Sequence, residues 1–138
     1  MLKNPILPGF HPDPCICRKG DDYYMAVSTF EWFPGIPVYH SKDMKNWELY
    51  THVLTDDEKV DLKKLPSAKG IWAPCLTYCE KEDLFYVVYG VMNSMNARYF
   101  DVDNFLITAK DIKGPWSEPV YLHSSGFDAS ILHDDDGR

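Results

Sequence analysis

One motif occurs three times along this chain, and it demands a fold built from repeated sheets. The first copy runs Asp13-Pro-Cys-Ile-Cys-Arg-Lys-Gly-Asp-Asp-Tyr-Tyr24. The second runs Ala73-Pro-Cys-Leu-Thr-Tyr-Cys-Glu-Lys-Glu-Asp-Leu-Phe-Tyr86, and the third opens Asp128-Ala-Ser-Ile-Leu-His-Asp-Asp-Asp-Gly137. Each copy begins with a short apolar strand and a charged or glycine-containing turn. An aromatic-rich strand follows, over Tyr23 to Thr29 or Leu84 to Tyr89. Later segments match as well: Val38-Tyr-His-Ser-Lys-Asp-Met-Lys-Asn-Trp47 aligns with Leu106-Ile-Thr-Ala-Lys-Asp-Ile-Lys-Gly-Pro-Trp116.

Several strands per repeat, at a period of roughly 40 to 60 residues, is the pattern of β-propeller blades. The innermost strand of each blade lies along the central axis, so equivalent positions in different blades converge there. Asp13 and Asp128 are equivalent, and the repeat therefore predicts two carboxylates facing one central depression. Two blades and the start of a third do not close a ring, and open sheet edges are a liability. Residues 1–138 therefore read as the N-terminal part of a larger all-β protein, with the Asp134-to-Gly137 turn leading into the next strand.

Asp13 sits between Pro12 and Pro14 in Gly-Phe-His-Pro-Asp-Pro, Gly9 to Pro14. Each proline fixes its own φ and biases the preceding residue toward extended backbone, so Asp13 is expected extended on a stiff support at a strand entry. Phe30, Trp32 and Phe33 follow in a segment that Pro34, Gly35 and Pro37 are expected to keep from being a regular strand. Two of these rings are expected to pack under their loop and one, Phe30, to serve as a stacking platform, because exposed rings need a reason. Trp72 directly precedes the position matching Asp13, and Phe127 directly precedes Asp128. Both should border the same depression.

Thr55 to Lys69 is polar. Thr55 and Glu58 suggest a capping box, with Val60, Leu62 and Leu65 pinning a short helix in an inter-blade excursion. Val91 to Asn104 reads as a polar link between strands. The five histidines show no metal-ligand spacing and read as surface or hydrogen-bonded residues, with His11 near enough to Asp13 to touch a ligand. Cys15, Cys17, Cys75 and Cys79 lack the usual zinc spacing and match as packing positions, so they read as small buried thiols. No disulfides are expected, because the N-terminal sequence has no apolar secretion signal. The expected location is cytoplasmic. Net charge is −7, which argues against nucleic acid or an anionic membrane as partner, and no apolar run is long enough to span a bilayer. Aromatic residues make up 14% of the chain, a share that suits both strands and sugar stacking.

These residues carry a family resemblance. Asn4-Pro-Ile-Leu-Pro-Gly-Phe-His-Pro-Asp-Pro14, Ser28-Thr-Phe-Glu-Trp-Phe-Pro-Gly35, His40-Ser-Lys-Asp43, Ile71-Trp-Ala-Pro74 and Gly126-Phe-Asp128 together resemble glycoside hydrolase family 43. The likeness is greatest to its intracellular β-xylosidases. It implies a five-bladed β-propeller, of which this chain supplies about two blades and the start of a third. It also implies hydrolysis of β-1,4-xylosides with inversion, and of α-L-arabinofuranosides by many members. By position, Asp13 resembles the general base and Asp128 the carboxylate that modulates the acid's pKa. Phe30, Trp72 and Phe127 resemble walls of the sugar subsites. The family's general acid is a glutamate of a later blade, beyond this chain. Three positions depart from the family's pattern: Cys15 for serine, Cys75 for a polar or acidic residue, and Ala129 for proline. The resemblance implies no required cofactor, an axial divalent metal (calcium) in the full-length form of some members, an oligosaccharide as partner, and room for a homo-oligomer.

An inverting glycosidase needs a base to activate water and an acid to protonate the leaving oxygen, with the carboxyls roughly 6.5 to 9.5 Å apart. A third carboxylate near the acid raises its pKa. With its acid elsewhere, the 138-residue chain is expected to be inactive alone. Two other readings remain open from sequence: a non-catalytic carbohydrate-binding propeller and a protein-interaction propeller.

Overall fold

The computed structural model describes residues 3–95 and 99–134. These contain two antiparallel four-stranded sheets of the same simple order. The first holds β1 (Cys15–Lys19), β2 (Asp22–Ala26), β3 (Gly35–Ser41) and β4 (Glu48–Leu54). The second holds β5 (Gly70–Cys79), β6 (Leu84–Ser94), β7 (Asp101–Ala109) and β8 (Val120–His123). Both sheets are meanders in which each strand pairs with the next along the chain. The repeat read from the sequence is thus one sheet per copy. The third copy contributes its opening segment, and residues 135–138 of its turn lie outside the described residues, as do residues 96–98.

The sheets meet along β1 and β5, and a continuous core runs between them. Phe85 of β6 sits at that junction, edge-on to Tyr24 of β2 at 5.6 Å and tilted against Tyr78 of β5 at 4.9 Å. Ile36, Val38 and Leu54 from the first sheet join Ile71, Leu76, Val87, Tyr89 and Ile107 from the second, all essentially inaccessible to water. Complete burial of such a side chain stabilises the fold by about 1.5–3 kcal/mol. Over the junction, Lys19 lies 4.4 Å from the Tyr78 ring and pairs with Asp83 at 2.7 Å.

The aligned Lys-Asp segments occupy the same place in each sheet, the turn between third and fourth strands. Asp43 accepts the amides of Lys45 and Asn46, both at 2.8 Å, and Asp111 accepts that of Lys113 at 2.8 Å. The short polar side chain thereby closes the turn with the backbone donors that a strand would have used.

Four local expectations are corrected. Thr55 to Lys69 forms successive turns and no helix. Asp56, not Thr55, accepts the Glu58 amide, at 2.9 Å. The step from Val60 to Leu62 would put those residues on different faces of a helix. As turns, the segment presses Val60, Leu62 and Leu65 individually against the core. Gly35 to Pro37 belongs to β3, because β2 ends at Ala26 opposite Val38 and Pro37 pairs only with His52 of β4. The missing proline donor therefore breaks no ladder there. For the same reason the second strand of the first sheet stops at Ala26, short of Thr29. Val91 to Asn104 is mostly strand: β6 and β7 continue pairing out to Ser94 and Asp101. Among the described residues no helix is long and apolar enough to cross a membrane.

Candidate active site

The three anchor positions share a backbone conformation that the sequence did not announce. Asp13, Ala73 and Asp128 all have left-handed φ, at 53°, 33° and 59°. For Asp13 this corrects the extended expectation. Only a few per cent of non-glycine residues adopt positive φ, aspartate among the more tolerant, and such residues gather where a structure over-determines them.

Ser28 supplies the determination. Its amide donates to the Pro12 carbonyl at 3.0 Å, closing the Asp13 segment onto the end of the first hairpin. Its hydroxyl donates to Asp13 Oδ2 at 2.6 Å and accepts the Ala73 amide at 2.7 Å. One buried hydroxyl thus joins the anchor of the first sheet to that of the second. Asp13 itself stays exposed. Ser28 lies in a quoted motif, but nothing in its residue type marked it. Ser28 falls within the strand expected over Tyr23 to Thr29, where a serine carries no signal, and in the structure it lies two residues past the end of β2.

The third anchor is held by Asn104 of β7, which is completely buried. Its amide donates to the carbonyls of Gly126 at 3.0 Å and His123 at 3.3 Å, fixing the turn that presents Phe127 and Asp128. The Asp128 carboxyl is pushed above the ordinary aspartate range, first by burial and then by the negative charge of Asp13. The two carboxylates are therefore close enough to sense each other.

Beside the carboxylates runs a ribbon of rings. Phe30 lies 6.0 Å from Trp72, and Trp72 lies 6.2 Å edge-on from Phe127. Phe10 extends the ribbon at one end, 5.6 Å from Phe30 and 5.1 Å from Trp32. Phe100 extends it at the other, 5.0 Å from Phe127 and 6.4 Å from Trp72. The structure thus brings together Phe30, Trp72 and Phe127 and adds Phe10, Trp32 and Phe100, which sequence reasoning left out of the site. Their signal was weak because they come from three separate segments. The packing expectation for the loop is inverted: Trp32 is 60% exposed and Phe33 44%, while Phe30 is the half-buried ring. Phe30 is fixed by a two-way backbone bridge with Ile71, both bonds at 2.9 Å. That bridge requires Gly70, where φ is +95° and a Cβ would lie 2.3 Å from the Phe30 carbonyl oxygen.

Glu31, next to Phe30, accepts the Ser67 hydroxyl and the Ala68 amide, each at 3.0 Å. Backbone donors hold its carboxyl below the ordinary glutamate range, so it stays ionised and tethers the loop. His11 is engaged at both ring nitrogens, by Tyr39 at 3.2 Å and the Pro8 carbonyl at 3.3 Å. His40, His123 and His133 also have hydrogen-bond partners. The four cysteines are free thiols, Cys79 buried and the others half-buried. The Cys15 thiol donates across the sheet junction to the Leu76 carbonyl at 3.5 Å. Among the described residues no group of three or more His, Cys, Asp or Glu side chains could hold a metal.

Two exposed carboxylates beside an aromatic ribbon suit a polar ligand with flat apolar faces, the chemistry of a sugar ring. Comparison with known proteins points the same way. The model of Glycosyl hydrolases family 43 matches residues 2–138. Xylosidase/arabinosidase 43B of Humicola insolens is 49% identical over 138 residues, covering 100% of this chain and 25% of that protein. The Beta-xylosidase of Bacillus subtilis (strain 168) is 50% identical over 137 residues, with 99% and 25% covered. The crystal structure of a xylan beta-1,4-xylosidase from Bacillus halodurans C-125 superposes with a TM-score of 0.95 at 52% identity, over 100% of this chain and 26% of that one. The chain thus spans about a quarter of the length of the curated relatives it matches, and its two sheets correspond to blades of their five-bladed propellers.

Proposed function

Because the chain belongs to glycoside hydrolase family 43, we propose that residues 1–138 are the N-terminal part of a propeller enzyme that hydrolyses β-1,4-xylosidic bonds of xylo-oligosaccharides with inversion. α-L-Arabinofuranosides are the second substrate class. The observation that carries this reading is the pairing of Asp13 and Asp128 at equivalent left-handed anchors beside Phe30, Trp72 and Phe127.

In this mechanism Asp13 is the general base. Ser28 occupies its Oδ2, and no hydrogen bond to Oδ1 is recorded among the described residues, so Oδ1 takes the proton of the attacking water. Asp128 is the modulator. As an anion near the leaving group it disfavours ionisation of the general acid, a glutamate supplied from outside this chain, so that the acid stays protonated near neutral pH. The rings of Phe30, Trp72 and Phe127 stack on the apolar faces of the sugar, exclude water and fix the anomeric carbon over Asp13. Every step is carried by carboxyls and water, and none calls for a cofactor.

The test is hydrolysis of 4-nitrophenyl β-D-xyloside and α-L-arabinofuranoside. Three proteins are compared: the 138-residue chain, the protein at the full length of its relatives, and the full-length Asp13→Asn variant. The expected result is turnover by the full-length protein alone, with Asp13→Asn slower by roughly 10²–10⁴-fold in kcat. Robust turnover by the 138-residue chain would show that it contains its own acid, with Glu31 or Glu80 as the carboxyls to examine, and would overturn this assignment. A full-length protein that binds xylose by calorimetry but turns over neither substrate would be a carbohydrate-binding propeller instead.

A further inference from the structure

The contact of greatest consequence around Asp13 comes from a residue with no charge. Ser28 is 1% exposed, so ligand and bulk water do not reach it directly. Its hydroxyl has one proton and two partners. The Ala73 amide at 2.7 Å can only donate, so the oxygen must accept there. The single hydroxyl proton is therefore committed to Asp13 Oδ2, at 2.6 Å. Such an O–H to carboxylate bond is short and charge-assisted, about twice as strong as a neutral one. The direction of the chain is fixed: Ala73 amide to Ser28 hydroxyl to Asp13 carboxylate.

We infer that Ser28 is a positioning residue for the general base, locking the Asp13 carboxylate against the second sheet so that only Oδ1 is presented to the attacking water. The inference rests on the glycosidase reading above. Its geometric logic is that, among the described residues, no other side chain hydrogen-bonds the Asp13 carboxylate. Pro12 and Pro14 stiffen its backbone but cannot set χ1 or χ2 of an exposed carboxylate. The hydroxyl does so from the buried side, and its own place is fixed by the Ser28 amide on Pro12 and by the Ala73 amide. The lock thus spans both sheets. It registers the first blade's base against the second blade, whose Trp72 precedes Ala73 and borders the sugar.

A base held this way affects the transition state far more than the ground-state complex, because its work is to orient water, while the rings bind the sugar. The experiment is steady-state hydrolysis of 4-nitrophenyl β-D-xyloside by the full-length protein, its Ser28→Ala variant and its Ser28→Thr variant, each checked by thermal melting. Ser28→Ala is expected to lower kcat by roughly 10- to 100-fold with KM within about twofold. Ser28→Thr, which restores the hydroxyl, is expected to recover most of that loss. The inference is overturned if folded Ser28→Ala keeps wild-type kcat, if its loss lies in KM, or if the threonine variant melts like wild type and is no better than alanine. A wild-type protein that hydrolyses neither substrate would overturn the functional reading instead, so the two failures are distinguishable.

Discussion

The first and second sheets are copies in topology and opposites in what they do with the anchor. In the second, β5 pairs with β6 from Gly70 to Trp72 and again from Cys75 to Cys79, and the anchor Ala73 lies at the register shift between them, inside the strand. In the first, strand pairing begins only at Cys15, after Pro12 and Pro14 have interrupted the backbone, and the anchor outside it is Asp13. Both anchors are left-handed. The conformation is common to the repeat, and the chemistry differs. The alanine anchor gives its amide to a structural bond and sits directly after Trp72 of the ring ribbon. The aspartate anchor, ahead of its strand, keeps an exposed carboxylate. Under the proposed function one blade would provide a wall and the other a reactive group, without any change in the order of strands.

The widest separation between the two sheets should come from their glycines. Gly70 enters β5 with φ of +95°, and a Cβ there would lie 2.3 Å from the Phe30 carbonyl oxygen, a backbone atom with no room to give. Gly20 turns the first hairpin at φ of +60° with nothing within 4 Å of its would-be Cβ. Gly70→Ala is expected to cost more than about 4 kcal/mol, the range of exceptional substitutions. Gly20→Ala is expected to cost about 1–2 kcal/mol, the left-handed penalty alone. Denaturant midpoints of the full-length variants measure both. Equal costs would mean that the bridge between Phe30 and Ile71 is not a fixed joint between the blades.

That joint marks the boundary of what the sequence made legible. The repeat, the hairpins, the Lys-Asp turns and the convergence of Asp13 with Asp128 all follow from pattern, because strands alternate and anchors recur at regular intervals. Phe30, Trp72 and Phe127 could be named because each stands beside an anchor or a proline-rich turn. The left-handed φ of Asp13 was hidden. The preceding-residue rule for proline predicts extended backbone, and the bonds from Ser28 that override it come from 15 residues away in sequence. Ser28 and Asn104 were hidden for the same reason, being small polar residues whose importance lies in a partner distant along the chain. The supposed helix over residues 55–69 failed because its apolar spacing does not define one helical face.

A second contrast lies two residues past each anchor. Cys15 and Cys75 occupy the same place in β1 and β5, yet their thiols are driven apart. The neighbouring Cys15 thiol holds Cys75 below the ordinary thiol range, while the neighbouring Cys75 and then burial push Cys15 above it. Since the thiolate is the nucleophile, iodoacetamide at neutral pH should alkylate Cys75 ahead of Cys15. Cys15→Ala should slow Cys75 labelling, because the thiolate fraction falls as Cys75 returns toward the ordinary thiol range. Peptide mapping of the labelled full-length protein reads the order directly. Faster labelling of Cys15 would reverse the assigned order and with it this difference between the blades.

The smallest effect concerns the one place where two anchors speak to each other through charge. Asp128 is raised first by burial and second by Asp13. A carboxyl raised in the folded state binds its proton more readily than the unfolded chain does. Its contribution to stability is therefore fully present below the unfolded pKa and lost as pH rises through the folded value. Ionised Asp128 is thus less well accommodated in the folded chain than in the unfolded one, by partial burial first and Asp13 second. Asp13→Asn removes the lesser of the two causes and leaves burial in place. The Asp128 titration, followed by carboxyl carbon NMR, should move down but remain above the ordinary aspartate range. An unchanged titration would mean that the third anchor does not face the first. A fall all the way to the ordinary value would mean that Asp13, not burial, dominates it. Either result would redraw which carboxylate the propeller axis brings against which.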